Sequence, residues 1–219
     1  MDKNTPKIMI AIPCMDQVPA PFCQSVTMLK KVGLTAIAFQ IGSLIYNSRN
    51  DLAKKSIEIG ADYIFWLDSD MTFEPDTLIR MHKTLTENDL DILTGLYFRR
   101  VPPYSPVLFD TLNMTDNGCE WSDWRDKELP TELFEVGGCG FGCVLMKTDV
   151  FFDVQGKFGD MFGPMNRVGE DLSFCWRARE CGYKIVCDPS IACGHVGYGI
   201  IDQRFSREYN EMIQNKGVE

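Results

Sequence analysis

The sequence predicts an α/β protein built on an open sheet, and three observations carry that prediction. Short apolar runs punctuated by glycine or proline alternate with segments whose apolar residues recur at helical spacing, the pattern of successive βαβ units. The run Tyr63-Ile-Phe-Trp-Leu67 is apolar throughout, as expected of a strand buried on both faces. That run leaves through Asp68-Ser69-Asp70, so two carboxylates arrive at the strand's C-terminal edge, where open α/β sheets bind ligands. With 219 residues, 45% of them hydrophobic, the chain suffices for one substantial core and is short for two, so residues 1–219 are expected to form a single domain.

Each element follows from local pattern. Ile8 to Ile12 form an apolar run ended by Pro13, a first central strand opening into a loop. Phe22, Val26 and Leu29 repeat at helical spacing with Gly33 as the expected C-cap, and Leu34 to Phe39 make the second strand. Ser48 and Asp51 fit a capping pattern for a helix from Arg49 to Ile59, closed by Gly60. After the Tyr63–Leu67 strand, Pro75 suits a first helical turn, and Leu78, Met81, His82 and Leu85 make one stripe. His82 therefore reads as a helix residue packed on the sheet rather than a ligand.

Asp91 to Phe98 predict a further strand, followed by Arg99-Arg100. From Asp110 to Glu135 periodicity fades while eight acidic and two basic residues gather around Trp121 and Trp124. That stretch reads as a loop-rich flap beside the site or as a solvated acidic surface. Val136-Gly-Gly-Cys-Gly-Phe-Gly142 permits close approach of a ligand or a plain bulge. It is not a phosphate-binding fingerprint, because a strand-like run, Cys143 to Met146, follows it instead of a helix.

Gly169-Glu170-Asp171 opens a helix that is apolar around its circumference and ends at Gly182. A strand from Lys184 to Asp188 leads to His195, which lies between Gly194 and Gly197 with no helical stripe to explain it, and so is the better ligand candidate. Residues 202–214 are expected to form an amphipathic helix, a lid or a docking element.

The net charge of −9 and a pI near 4.8 argue against general nucleic-acid binding, which rests on clustered Lys and Arg. No apolar stretch approaches the roughly 20 residues of a membrane span. The charged N-terminus, with Asp2, Lys3 and Lys7, lacks a signal peptide's apolar region, so a cytoplasmic protein is expected. Nine cysteines, an odd number in a chain of this kind, read as free thiols. Cys175, Cys181, Cys187 and Cys193 recur every six residues, but they span a helix-to-strand boundary and lack C-x2-C pairing, which argues against zinc.

Taken together, Asp68, Asp70, Glu170, Asp171 and His195 supply hard oxygen ligands, a possible base and a nitrogen ligand. That set suits a divalent ion bridging a diphosphate. At this point the chain resembles the GT-A glycosyltransferases of the inverting family-2 type. The matching pieces are Ile10-Ala-Ile-Pro13, Asn47-Ser-Arg-Asn50, Phe65-Trp-Leu-Asp68-Ser-Asp70, Gly137-Gly-Cys-Gly-Phe-Gly-Cys-Val-Leu-Met146, Gly169-Glu-Asp171 and His195, in the family's order across residues 8–198.

The resemblance implies a single-domain GT-A fold, a mixed, mostly parallel central sheet flanked by helices. Residues 1–110 would form the nucleotide-binding half, 111–199 the acceptor and catalytic half, and 200–219 a C-terminal helix or lid. It implies a nucleotide-diphosphate sugar donor (a UDP-sugar by family default), Mn2+ or Mg2+, and transfer of one sugar to an acceptor hydroxyl with inversion.

By the same resemblance, Pro13, Arg49, Asp68 and Ser69 would border the nucleotide, Asp70 and His195 would hold the metal, and Asp68 would support the ribose or the metal. Gly138, Cys139 and Gly140 would border the donor sugar and acceptor. Asp171, with Glu170 beside it, would be the general base. A helix N-terminus lowers the pKa of Asp171 and desolvation raises it; in either case the carboxyl is ionised at neutral pH.

The chain departs from the family at Gln40-Ile-Gly-Ser43, where many relatives carry a carboxylate for the nucleobase. It also lacks the Gln-x-x-Arg-Trp pattern and membrane spans of polymerising members, which favours single-sugar transfer. Asp68-Ser-Asp-Met-Thr72 fits the signature of haloacid-dehalogenase-like phosphatases too, although that family carries it on its first strand and two strands precede it here. A non-catalytic module recognising nucleotide sugar or glycan is the remaining alternative, against which the joint presence of Asp68, Asp70, Asp171 and His195 speaks.

Overall fold

In the computed structural model, which describes residues 5–42, 44–115, 118–125, 127–197 and 199–216, seven strands form one central sheet. The chain runs β1 (Lys7–Cys14), α1 (Ala20–Met28), β2 (Leu34–Ile41), α2 (Ile45–Glu58), β3 (Tyr63–Leu67), β4 (Met71–Thr72), α3 (Thr77–Glu87) and β5 (Ile92–Leu96). It continues through β6 (Leu108–Thr115), β7 (Gly118–Asp123), β8 (Phe134–Val136), β9 (Gly138–Cys139), β10 (Cys143–Lys147), α4 (Asp149–Phe158) and α5 (Glu170–Glu180). β11 (Ile185–Ala192), β12 (Gly194–Val196), β13 (Ile200–Ile201) and α6 (Gln203–Lys216) complete it. The central order is β2-β1-β3-β10-β5-β11-β8, with only β10 and β8 running against their neighbours.

Strand alternation splits the core in two. Met9, Ala11, Ile64 and Trp66 face one way, against Leu52 and Ala53 of α2, Phe151 of α4 and Phe174 of α5. Ile8, Ile10, Ile12, Phe65 and Leu67 face the other way, against Phe22 of α1 and Leu78, Met81 and Leu85 of α3. Each fully buried side chain of this size contributes about 1.5–3 kcal/mol, enough to fix the register that brings the strand ends to one edge. His82 lies half-buried on α3, its ring edge-on to Tyr63 at 5.1 Å, and burial lowers its pKa.

Several expectations are corrected. Gly33 does not cap α1, which ends at Leu29 in extended conformation. It is instead the turn into β2, with φ +57° and a position where an added Cβ would collide with the Pro6 carbonyl. α2 starts at Ile45, before the predicted Arg49, and its N-cap Leu44 makes no side-chain capping bond. The acidic stretch expected to be loop-rich contains a hairpin: β6 pairs with β7 from Phe109↔Asp123 to Thr115↔Gly118, and with β9 on its other side. Some of its acids are ion-paired, Asp110 with Lys127 at 2.5 Å and Asp123 with Arg125 at 3.5 Å. His195, for which the sequence predicts no element, lies in β12, which pairs with β4 and β13 in a small separate sheet.

All nine cysteines are free thiols. Among the described residues no helix is long and apolar enough to cross a membrane.

Candidate active site

The chain leaves β3 through a tight turn. The Asp68 N–H donates to the Gly142 carbonyl at 3.2 Å, and the Met71 N–H donates back to the Asp68 carbonyl at 3.2 Å. The Val196 N–H then donates to the Asp70 carbonyl at 2.8 Å, and His195 pairs with Met71 across β12 and β4. This pairing of short strands brings a late histidine against an early aspartate.

His195 Nε2 lies 3.3 Å from Asp70 Oδ2, and its Nδ1 lies 2.9 Å from the Phe98 carbonyl. A carbonyl only accepts, so Nδ1 carries hydrogen and Nε2 is the nitrogen aimed at Asp70. Arg100 Nη1 reaches the same Asp70 oxygen at 2.7 Å. Burial pushes the Asp70 carboxyl up, but the hydrogen bond and charge of His195, joined by Arg100, outweigh it and hold the group below its ordinary range. Burial pushes His195 down, and the hydrogen bond to Asp70 outweighs it, so the imidazole is raised.

A second cluster is organised by Arg49 of α2, whose side chain is 3% exposed. Its Nη2 donates to Asp68 Oδ1 at 2.8 Å and its Nε to Glu170 Oε1 at 3.0 Å. The guanidinium rests 5.5 Å from the Trp66 ring centre and 5.2 Å from that of Phe141. Below lies an aromatic floor in which Phe162 and Phe174 stack at 4.5 Å. Burial alone would pull this guanidinium's pKa down, but Asp68, Glu170 and Asp171 overcome it and hold the pKa above its ordinary value. Arg49 Nη1 is also buried and has no hydrogen-bond partner among the described residues.

Gly169 is the N-cap of α5, so Glu170 and Asp171 occupy its first turn. Asp171 Oδ1 accepts the Leu172 N–H at 2.7 Å. Its carboxyl is pushed up to about 6, first by burial and then by the charge of Glu170, against the pull of the Leu172 N–H and Arg49. Desolvation therefore wins over the helix terminus. The group remains mostly ionised at pH 7 with a basicity suited to proton abstraction.

Both clusters face one cavity of about 420 Å3. Of the residues singled out from sequence, Pro13, Arg49, Asp68, Ser69, Asp70, Glu170, Asp171 and His195 line it. Gly138, Cys139 and Gly140 are buried and do not line it. Glycine is required there by packing: an added Cβ on Gly140 would collide with the Tyr97 hydroxyl, and one on Gly138 would sit 3.1 Å from Leu112 and 3.3 Å from Leu172. Cys14, Met15, Ile45, Ser48 and Arg100 complete the lining. Only Arg100 had a usable signal, a basic pair following a predicted strand at the ligand edge.

The donor set fits a divalent ion. Asp70 Oδ2 and His195 Nε2 face one another at 3.3 Å, so the proton they share in the ligand-free protein can be replaced by a cation held by the same two atoms. Carboxylate plus imidazole suits Mn2+ and accommodates Mg2+. Among the described residues no group of three or more His, Cys, Asp and Glu could hold a metal, so the remaining ligands would be phosphate oxygens and water.

No protein-family model matches the chain, and no curated protein matches it in sequence. Solved structures match it in fold. The crystal structure of A197 from STIV aligns with a TM-score of 0.62 at 18% identity, covering 88% of this chain and 86% of that one. The crystal structure of GalNAc-T7 with UDP, GalNAc and Mn2+ aligns with a TM-score of 0.61 at 12% identity, covering 90% of this chain and 45% of that one. The chain thus spans less than half of the GalNAc-T7 structure, and what it shares with these proteins is the fold, the single-domain mixed α/β architecture of GT-A glycosyltransferases.

Proposed function

We propose that the protein is a metal-dependent glycosyltransferase that moves one sugar from a nucleotide-diphosphate donor to an acceptor hydroxyl with inversion. The observation that carries this reading is a single cavity in which Asp70 and His195 converge in one cluster while Asp171, with a pKa pushed up to about 6, belongs to the other. The fold shared with GalNAc-T7, whose structure holds UDP, GalNAc and Mn2+, supports the donor class.

In this reading Pro13, Cys14, Met15 and Ile45 form an apolar wall for the nucleobase, with Ser69 nearby and Asp68 accepting from the ribose hydroxyls. Asp70 and His195 hold Mn2+ or Mg2+, which when bound would offset the negative charge of a departing diphosphate. Asp171 takes the proton of the acceptor hydroxyl. The acceptor oxygen forms its bond to the anomeric carbon from the face opposite the diphosphate, the carbon–oxygen bond to the diphosphate breaks, and the nucleoside diphosphate leaves. Glu170, paired with Arg49, contributes by raising the basicity of Asp171. Gly138 to Gly140 contribute from behind: Gly138 lets β9 pack closely on Leu172 and Cys175 of α5, the helix that carries the base.

The phosphatase alternative asks Asp68 to attack phosphorus, yet Asp68 Oδ1 is held 2.8 Å from the buried Arg49, which favours a binding role. Thermal-shift measurements with UDP-, GDP- and ADP-sugars, with and without Mn2+, test the proposal. A saturating donor is expected to stabilise the protein by about 2–4 kcal/mol only when Mn2+ is present, and Asp70→Ala is expected to abolish the metal-dependent part. Full retention of that part in Asp70→Ala would sink the metal assignment, and no shift with any nucleotide sugar would sink the donor class.

A further inference from the structure

The cavity holds two arginines in opposite circumstances. Arg49 is 3% exposed, with carboxylates on two nitrogens and aromatic rings on its faces, so it is part of the frame. Arg100, on the segment after β5, has a side chain that is 53% exposed and, among the described residues, one ionic contact, Nη1 to Asp70 Oδ2 at 2.7 Å. Its stem lies against Gly197, where an added Cβ would approach Arg100 Cβ to 3.2 Å.

The oxygen that Arg100 holds is the one that His195 Nε2 faces at 3.3 Å. A divalent ion bound by Asp70 and His195 would need that same oxygen, and it would repel an adjacent guanidinium. Arg100 is itself part of the lining of that cavity. Its planar fork is matched to phosphate oxygens.

We propose that Arg100 is an exchangeable counter-cation of the donor site: it neutralises Asp70 in the ligand-free protein, yields that carboxylate to a divalent ion, and moves to the diphosphate that binds with the ion. The inference rests on the metal-site reading of Asp70 and His195 and goes beyond it, because it couples metal and diphosphate binding through one side chain. Metal binding alone strands the guanidinium in water. With a diphosphate present the guanidinium gains a new partner, so each ligand strengthens the other.

The test uses the full chain as wild type, Arg100→Ala and Arg100→Lys, with unfolding temperatures confirming that each variant is folded. Paramagnetic resonance of free Mn2+ gives the affinity for Mn2+ alone, and calorimetry at saturating Mn2+ gives the affinities for UDP, GDP and ADP. Arg100→Ala is expected to bind Mn2+ alone at least about fivefold more tightly than wild type, and the preferred nucleoside diphosphate at least about fivefold more weakly. Arg100→Lys, which keeps the charge, is expected to lie between them on both measures.

Opposite signs for the two ligands distinguish exchange from simple damage. If wild type binds both ligands and Arg100→Ala binds Mn2+ no more tightly, or shifts both affinities in the same direction, the exchange is overturned and the metal site stands. If wild type binds neither Mn2+ nor any of the three nucleotides, both are overturned.

Discussion

Asp171→Asn is expected to stabilise the fold while eliminating turnover. The Asp171 carboxyl is pushed from its ordinary 3.8 to about 6, chiefly by burial. At about 1.36 kcal/mol per pH unit of displacement, ionisation of this group costs the folded state about 3 kcal/mol. Because the folded value is raised, the neutral form's advantage is fully present below pH 4 and is lost as pH rises through about 6. Asparagine is neutral at every pH, and its amide oxygen can still accept the Leu172 N–H that Asp171 accepts at 2.7 Å.

For a domain of this size about 3 kcal/mol corresponds to a rise of about 6–12 °C in unfolding temperature. Circular-dichroism melts of metal-free protein should show that gap over wild type at pH 8, nearly all of it at pH 6.5, about half of it near pH 5 and about a fifth of it at pH 4. Release of nucleoside diphosphate in the presence of acceptor should fall by at least about a hundredfold. An Asp171→Asn melt at or below wild type at pH 8, or a gap independent of pH, would refute the assignment of a desolvated base at this position.

Two further substitutions probe the frame around the site. Arg49→Leu removes the cation shared by Asp68 and Glu170 and leaves two carboxylates beside an aromatic floor, so urea unfolding should show a loss of about 3–5 kcal/mol. Gly140→Ala forces a methyl group onto the Tyr97 hydroxyl and should lower stability by about 1–3 kcal/mol. Adding Tyr97→Phe removes the colliding oxygen and should recover part of that loss, only part because the Gly142 N–H donates to the same hydroxyl at 3.2 Å.

Most strands legible in the sequence are enclosed on both sides; the exception is β2, an edge strand that is legible because its exposed residues Leu34, Ile37 and Phe39 are themselves apolar. β1, β3, β5 and β10 each lie between two neighbours in the central sheet with cover on both faces, so they read as unbroken apolar runs. The β6–β7 hairpin is not enclosed: β7 lies at the margin of a small sheet with Glu120 and Trp121 exposed. Its acids mask the alternation, although Asp116-Asn117-Gly118 is itself a hairpin signal. The start of α2 misleads for a different reason. Ser48 and Asp51 resemble a cap, but Ser48 is buried within a helix that has already begun at Ile45. Strands as short as β4, β12 and β13 have no pattern of their own and exist because they pair with each other.

At the site, local signals identify the acids but not the cation that each one faces. Asp68 and Asp70 are separated by one residue, yet the turn sends Asp68 to the buried Arg49 and Asp70 to His195 and Arg100. That division depends on where α2 crosses beneath β3 and on the bond from the Val196 N–H to the Asp70 carbonyl, neither of which is encoded nearby. Its chemical consequence is asymmetric. An ion recruiting Asp68 would compete with a guanidinium that is 3% exposed and would leave it beside Glu170 alone, whereas an ion recruiting Asp70 displaces only a half-exposed Arg100. On the proposed reading the metal would therefore belong with Asp70, and Asp68, held by Arg49, would be left to accept from hydroxyl groups.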